Sequence, residues 1–177
     1  MEEIHTLYIQ RGSVLKSTFA EWGIVCTAPS FVTGDSVKDL PSRSWPDEHG
    51  DDTYMPQQLR FEAFDADFEF AYKGEELASN PFDVHLCMSR VEAFKRWLAG
   101  NNNDGAGTSL SIYSPYTRTG RRGCYLKKFS DKAPLVQLKG VSGNTWNENV
   151  VTFKVTFRVT DPMTEMTFNA QTGITVA

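Results

Sequence analysis

Between Asn149 and Thr160 the chain alternates with a period of two. Val151, Phe153, Val155, Phe157 and Val159 fall on one side, and Thr152, Lys154, Thr156, Arg158 and Thr160 on the other. Only an extended chain sends successive side chains to opposite faces, so this stretch is a strand with one buried and one wet face. Such a strand belongs in an antiparallel sheet with one face open to water. Phe64, Ala66, Phe68, Phe70 and Tyr72 repeat the pattern against Asp65, Asp67, Glu69 and Ala71. Leu59, Phe61 and Ala63 run in the opposite phase, and the switch at Ala63–Phe64 predicts a bulge or a bend. Further strands are predicted at Ser109–Tyr113, Gly123–Phe129 and Leu135–Lys139. The twelve phenylalanines, many in alternating runs, point the same way.

One segment breaks the β pattern. Phe82, Val84, Leu86 and Met88 alternate and predict a strand after a turn at Gly74–Pro81; a helix opening at Pro81 is the other reading, because proline suits a first helical position. Ser89-Arg90-Val91-Glu92 has the form of a capping box, which favours a helix over Arg90–Ala99 that stops at Gly100. Val91, Phe94 and Leu98 form its buried stripe, with Lys95 and Arg96 near its negative C-terminal end. Asn101–Gly107 is a flexible loop.

Residues 1–33 read as short strands at Leu7–Ile9 and Gly23–Cys26, or as an N-terminal arm. Asp35–Pro56 is polar and punctuated by proline and glycine, a long excursion of the kind that ends in a hairpin tip. The tail from Pro162 to Ala177 is a further short strand or a C-terminal arm. A chain of 177 residues without internal repeats is one domain. The expected fold is mainly β, a sandwich or barrel of antiparallel strands with one inserted α-helix.

Cys26, Cys87 and Cys124 are odd in number and far apart, which signals neither a disulfide framework nor a zinc knuckle. The N-terminus lacks a secretory pattern, and no apolar run approaches a membrane span. A soluble product made in a cytoplasm is expected. The formal net charge of −4 excludes bulk attraction to nucleic acid or anionic membranes.

The stretch most suggestive of chemistry is SWPDEHGDD, Ser44 to Asp52, with Asp47, Glu48, Asp51 and Asp52 around His49. Counted from Asp47 as an EF-hand, glycine falls two positions early, and the four carboxylates, as hard oxygen ligands, leave a calcium site of another kind as an alternative. Zinc or iron would need further nitrogen or sulfur donors. A glycosidase pair needs a carboxyl with a raised pKa in a cleft, and adjacent acids in such a loop are exposed and ionised. The residues read as a solvated loop tethered by Trp45 and Tyr54. Cys87 and His85 lack a third group to orient a base, and no GxSxG, P-loop or GxGxxG is present. TRTGRRG, Thr117 to Gly123, could cradle phosphate but reads more simply as a charged turn. No catalytic residue, metal or cofactor is expected, and the chain is not read as an enzyme.

Charge is segregated. From Asp47 to Glu76 there are ten acids against Arg60 and Lys73. From Tyr116 to Lys132, Arg118, Arg121, Arg122, Lys127, Lys128 and Lys132 face Asp131 alone. Opposite surfaces on one subunit suit a head-to-tail contact between copies, which closes into rings or stacks into filaments. Asp47, Glu48, Asp51, Asp52, Arg118, Arg121 and Arg122 are the candidate assembly surface.

The order of elements carries a resemblance. A Gly/Asp-rich excursion, Trp45–Tyr54, leads into Arg60–Phe70. A capped helix ending in RWLAG, a strand SIYSPYTR, a further hairpin and the closing VVTFKVTFRVTDP follow. From Pro41 to Pro162 this resembles the β-barrel-plus-helix domain shared by tail tube proteins of long-tailed bacteriophages and the distal tail (baseplate hub) proteins at the tube's end. The resemblance implies a structural, non-catalytic virion tail protein, assembled in the bacterial cytoplasm. Its partners would be itself, as a hexameric ring, and neighbouring tail proteins, with DNA only as transiting cargo. Asp65, Asp67 and Glu69 would suit the inner wall. Many distal tail proteins carry a large second domain that these 177 residues are not expected to form, so tube and hub both stay open. The alternative of another class is a monomeric ligand- or carbohydrate-binding module with Trp45, Trp146 and Tyr116 as stacking platforms.

Overall fold

A computed structural model describes residues 5–27, 31, 36–72, 84–100, 107–130, 133–141 and 144–177. The chain opens with strands β1 (Tyr8–Arg11) and β2 (Val14–Ser17), a short helix α1 (Thr18–Trp22) and β3 (Ile24–Cys26). A small hairpin, β4 (Ser42–Ser44) and β5 (Asp51–Thr53), precedes β6 (Phe64–Tyr72) and helix α2 (Val84–Ala99). Next come β7 (Leu110–Ser114), β8 (Thr119–Phe129), β9 (Ala133–Val141) and β10 (Asn144–Val159). A last hairpin, β11 (Met166–Asn169) and β12 (Gly173–Val176), ends the chain.

The fold is mainly β. One antiparallel sheet runs in the order β2-β1-β7-β8-β10-β6-β3, with β9 paired to β10, and curls into a half-barrel. The strand that dominates the sequence sits at its centre. Thr152–Val159 of β10 pair with β6 on one side, and Val155–Val159 pair with β8 on the other, while Asn144–Thr152 pair with β9. The curl brings distant parts of the sheet together, since the Cys26 amide donates to the His5 carbonyl at 2.7 Å.

Helix α2 packs on the concave face because its apolar residues share one stripe. Cys87, Val91, Phe94, Trp97 and Leu98 are all buried. Phe94 is the hub: its ring lies 4.9 Å from Trp22, 5.6 Å from Phe70, 6.1 Å from Phe153 and 6.4 Å from Phe129. Phe70 and Phe153, paired across the β6–β10 ladder, stack at 5.4 Å. Gly100, at φ +82, takes the left-handed conformation that ends the helix, as its position in the sequence indicates.

Several expectations are corrected. The predicted strand up to Met88 is helical from Val84 onward. Period two over four residues competes there with the helical spacing that joins Cys87 to Val91, Phe94 and Leu98, and burial follows the helix: Cys87 is buried and Leu86 exposed. Ser89 is therefore mid-helix. Its Oγ donates to the His85 carbonyl, four residues back, at 2.9 Å and caps nothing. The opposite phase before Phe64 is not a bulged extension of β6; Phe61 makes only an isolated bridge to Val37. The expected single helix is joined by α1. The segment before Thr27 supplies three strands of the main sheet rather than an arm.

The tail from Pro162 folds back. Phe168 stacks on Tyr8 at 4.0 Å and on Tyr113 at 5.6 Å, and the Ile174 amide donates to Gln10 Oε1 at 2.8 Å. This hairpin covers the convex side of β1 and β7, burying Met166 and Ile174. Gly120 makes the fit possible, because a Cβ there would come within 2.9 Å of Met166 Cβ. The predicted turn at Gly74–Pro81, the start of the Phe82–Met88 segment and the loop Asn101–Ala106 lie outside the described residues, as do the side chains of Trp146 and Val151.

Candidate assembly surface

The polar excursion is a finger. Its base is zipped by the Lys38 amide donating to the Arg60 carbonyl and the Glu62 amide to the Ser36 carbonyl, both at 2.8 Å. Further out the Tyr54 amide donates to the Pro41 carbonyl at 2.9 Å. Cross-strand pairs Ser42–Thr53, Arg43–Asp52 and Ser44–Asp51 complete β4–β5. Gly50, at φ +84, lies in the tip.

Backbone bonds hold this finger, but no core does. Every residue from Pro41 to Asp52 is exposed. Trp45 is 46% exposed, Leu59 47%, Tyr54 67% and Met55 73%. The Arg43 guanidinium lies 5.9 Å from the Trp45 ring. An isolated two-stranded hairpin is marginal in water, and this finger exposes four large apolar side chains. Asp47, Glu48, His49, Asp51 and Asp52 form no cluster that could hold a metal ion.

The second acidic stretch behaves differently. Asp65, Asp67 and Glu69 sit on the convex face of β6, exposed as the alternation predicts. The β6–β10 register sets Arg158 opposite Asp65, Thr156 opposite Asp67 and Lys154 opposite Glu69. Asp65 is gripped by Lys127 Nζ at 2.5 Å and Arg158 Nη1 at 3.0 Å. Asp67 accepts the Thr156 hydroxyl at 2.6 Å and pairs with Lys154 at 3.1 Å. These hydrogen bonds hold both carboxyls below the usual carboxylate range: Lys127 then Arg158 at Asp65, and Thr156 then Lys154 at Asp67. The face is mixed in charge rather than acidic. Lys154 and Arg158 were legible in the sequence on the polar side of Asn149–Thr160 and Lys127 in the basic segment, but their placement against the acids was not.

The basic segment is dispersed as well. Arg118 lies at the β7–β8 turn beside Tyr116, which is 61% exposed. Arg121 and Arg122 are not at the tip but in β8. Arg121 is half-buried with its guanidinium 5.9 Å from the Phe31 ring, and its Nη1 donates to the Gly120 carbonyl at 3.0 Å. Arg122 Nε donates to Asp161 at 2.7 Å. The three arginines therefore make no common anion cradle. Of the stacking candidates, Trp45 is on the finger, Tyr116 on the β7–β8 turn and Trp146 on β10, three separate elements. Cys124 is buried, and burial pushes its thiol up to about 12, so it stays protonated and unreactive.

Asp161 was not singled out by the sequence. Burial pushes its carboxyl up, but the Arg122 guanidinium, the Thr164 side chain and the Thr164 and Met163 amides outweigh that and bring it down to about 2. An unfolded aspartate titrates near 3.9. The resulting stabilisation, about 1–2 kcal/mol after solvent screening, is complete above roughly pH 4 and lost as pH falls through about 2. Asp161→Asn should flatten the fall in melting temperature across that window. An unchanged acid profile in the variant would show that the arrangement contributes nothing.

Among the described residues, no helix is long and apolar enough to cross a membrane. No protein-family model matches the chain, and no curated protein matches its sequence.

Proposed function

We propose that the chain is a structural, non-catalytic subunit that associates with itself into a ring, as a tail tube or distal tail (baseplate hub) protein of a tailed bacteriophage. The observation that carries this reading is the finger at residues 36–62. It is held by backbone hydrogen bonds, has no core of its own and exposes Trp45, Tyr54, Met55 and Leu59. Such a protrusion is stabilised when its apolar side chains are covered by a neighbour. A curled antiparallel sheet with a helix on its concave face agrees with the architecture expected of such a subunit.

In this reading the ring is a hexamer, its neighbours are other tail proteins, and DNA passes through it as cargo. The subunit is made in a bacterial cytoplasm and resides in the virion tail. Asp65, Asp67 and Glu69 remain the candidates for the channel wall. The ion pairs of Asp65 and Asp67 with Lys127, Lys154 and Arg158 break up any continuous positive patch that would hold phosphates.

Solution mass by light scattering across a concentration series, with negative-stain images of the same fractions, tests the proposal. Rings or short tubes are expected at high concentration. A strict monomer throughout would overturn self-association and favour a ligand-binding module that works alone.

A further inference from the structure

Ion pairs within the subunit engage several of its charges, while Arg43 on the finger and Lys128 on β8 are exposed as well. On the convex face Asp65 and Asp67 are engaged by Lys127, Lys154 and Arg158, and Arg122 is engaged by Asp161. Arg121 is half-buried near Phe31. Two exposed clusters then stand out. One is the finger tip, where Trp45 precedes Asp47, Glu48, Asp51 and Asp52, all exposed. The other is the β7–β8 turn, where exposed Tyr116 lies two residues from exposed Arg118.

Arg118 is the last residue before β8. At φ +55 it is the one non-glycine residue with a positive φ among the described residues. Glycine or asparagine is the usual occupant of that conformation in a tight turn, and a long side chain there is strained.

We propose that the finger tip of one copy docks on the β7–β8 turn of the next, with the four tip carboxylates facing Arg118 and Trp45 covering Tyr116. This rests on the self-association proposed above and names the two surfaces that meet. Acid and base lie on different elements of each copy, and in the ring proposed above the pairing is heterologous: every subunit gives one finger to one neighbour and receives one from the other. Opposite charge sets the register, and the two aromatics supply the desolvated contact at its centre.

The test uses the full chain in three preparations and an equimolar mixture, followed by light scattering at fixed ionic strength. One variant carries Asp47→Lys, Glu48→Lys, Asp51→Lys and Asp52→Lys; the other carries Arg118→Glu. Each alone should need a concentration higher by on the order of tenfold to reach the wild-type mass. The mixture should recover assembly, because reversed tips then meet reversed turns. Melting temperatures within about 2 °C of wild type would show both variants folded, as expected for exposed sites. Wild-type assembly with both variants unimpaired would overturn the docking but leave the ring intact. Impairment without recovery in the mixture would also overturn it. A wild-type chain that stays monomeric overturns docking and ring together.

Discussion

Phe94→Ala should lower stability by about 3–5 kcal/mol, and the melting temperature by roughly 10 °C for a chain of this size. Phe94 is fully buried where α2 meets the sheet, with the rings of Trp22, Phe70, Phe129 and Phe153 around it. Truncation removes the transfer free energy of the ring and leaves a void. The neighbours cannot close that void, because Phe70 and Phe153 are held by a ladder of strand hydrogen bonds. Phe94→Leu should lose clearly less, since it keeps much of the volume. Thermal unfolding followed by circular dichroism reads both. An alanine variant melting within about 2 °C of wild type would mean that α2 does not pack on the sheet as described.

Arg11→Ala should be comparably costly, at about 3–5 kcal/mol. Arg11 lies on β1 and is fully buried, an unusual place for a guanidinium. Its Nη1 donates to the Trp97 carbonyl in the last turn of α2, and its guanidinium carbon lies 4.8 Å from the Trp97 ring centroid. The negative end of the helix dipole favours a cation there. Gly100, which ends the helix, is part of the same corner: a Cβ at Gly100 would sit 3.7 Å from Arg11 Nη1. Alanine would open a cavity and take a donor from the carbonyl. Arg11→Met keeps most of the volume and isolates the second effect, which should cost about 1–3 kcal/mol. Denaturant unfolding of the two variants separates the contributions. Loss of under about 1 kcal/mol for Arg11→Ala would refute the view that this residue fastens α2 to β1.

Neither position could be ranked this way from the chain alone. Phe94 was legible as buried, from its spacing with Val91 and Leu98. Its status as the meeting point of three strands and two helices depends on contacts distant in sequence, the farthest being with Trp22 and Phe153, each more than fifty residues away. Arg11 sits in a short strand next to Gly12, where a reader expects a solvated arginine. Nothing local signals that the end of a distant helix will bury it.

The proposed assembly surface divides along the same line. Exposure of Asp47, Glu48, Asp51 and Asp52 followed from proline, glycine and adjacent like charges, which discourage burial. The fate of the other charges did not. In sequence Asp65 and Asp67 belong to an acidic run, Lys127 to a basic one, and Lys154 and Arg158 to the polar side of Asn149–Thr160. Strand register alone turns them into ion pairs within one subunit, because it decides which outward residues stand opposite each other.

What the sequence determined by itself was therefore whatever its local periodicity and turn chemistry dictate. That includes the central strand, the acidic side of β6, the buried stripe of α2 from Val91, the stop at Gly100 and the solvated excursion. Tertiary structure decided the rest. It made Val84–Met88 helical, because a helical stripe buries Cys87 and Val91 together, where a strand would have buried alternate residues. It folded the C-terminal segment back over Tyr8 and Tyr113, where Gly120 leaves room for Met166. It also set Asp65 and Asp67 against cations of β8 and β10, since pairing depends on distances that only the closed sheet establishes.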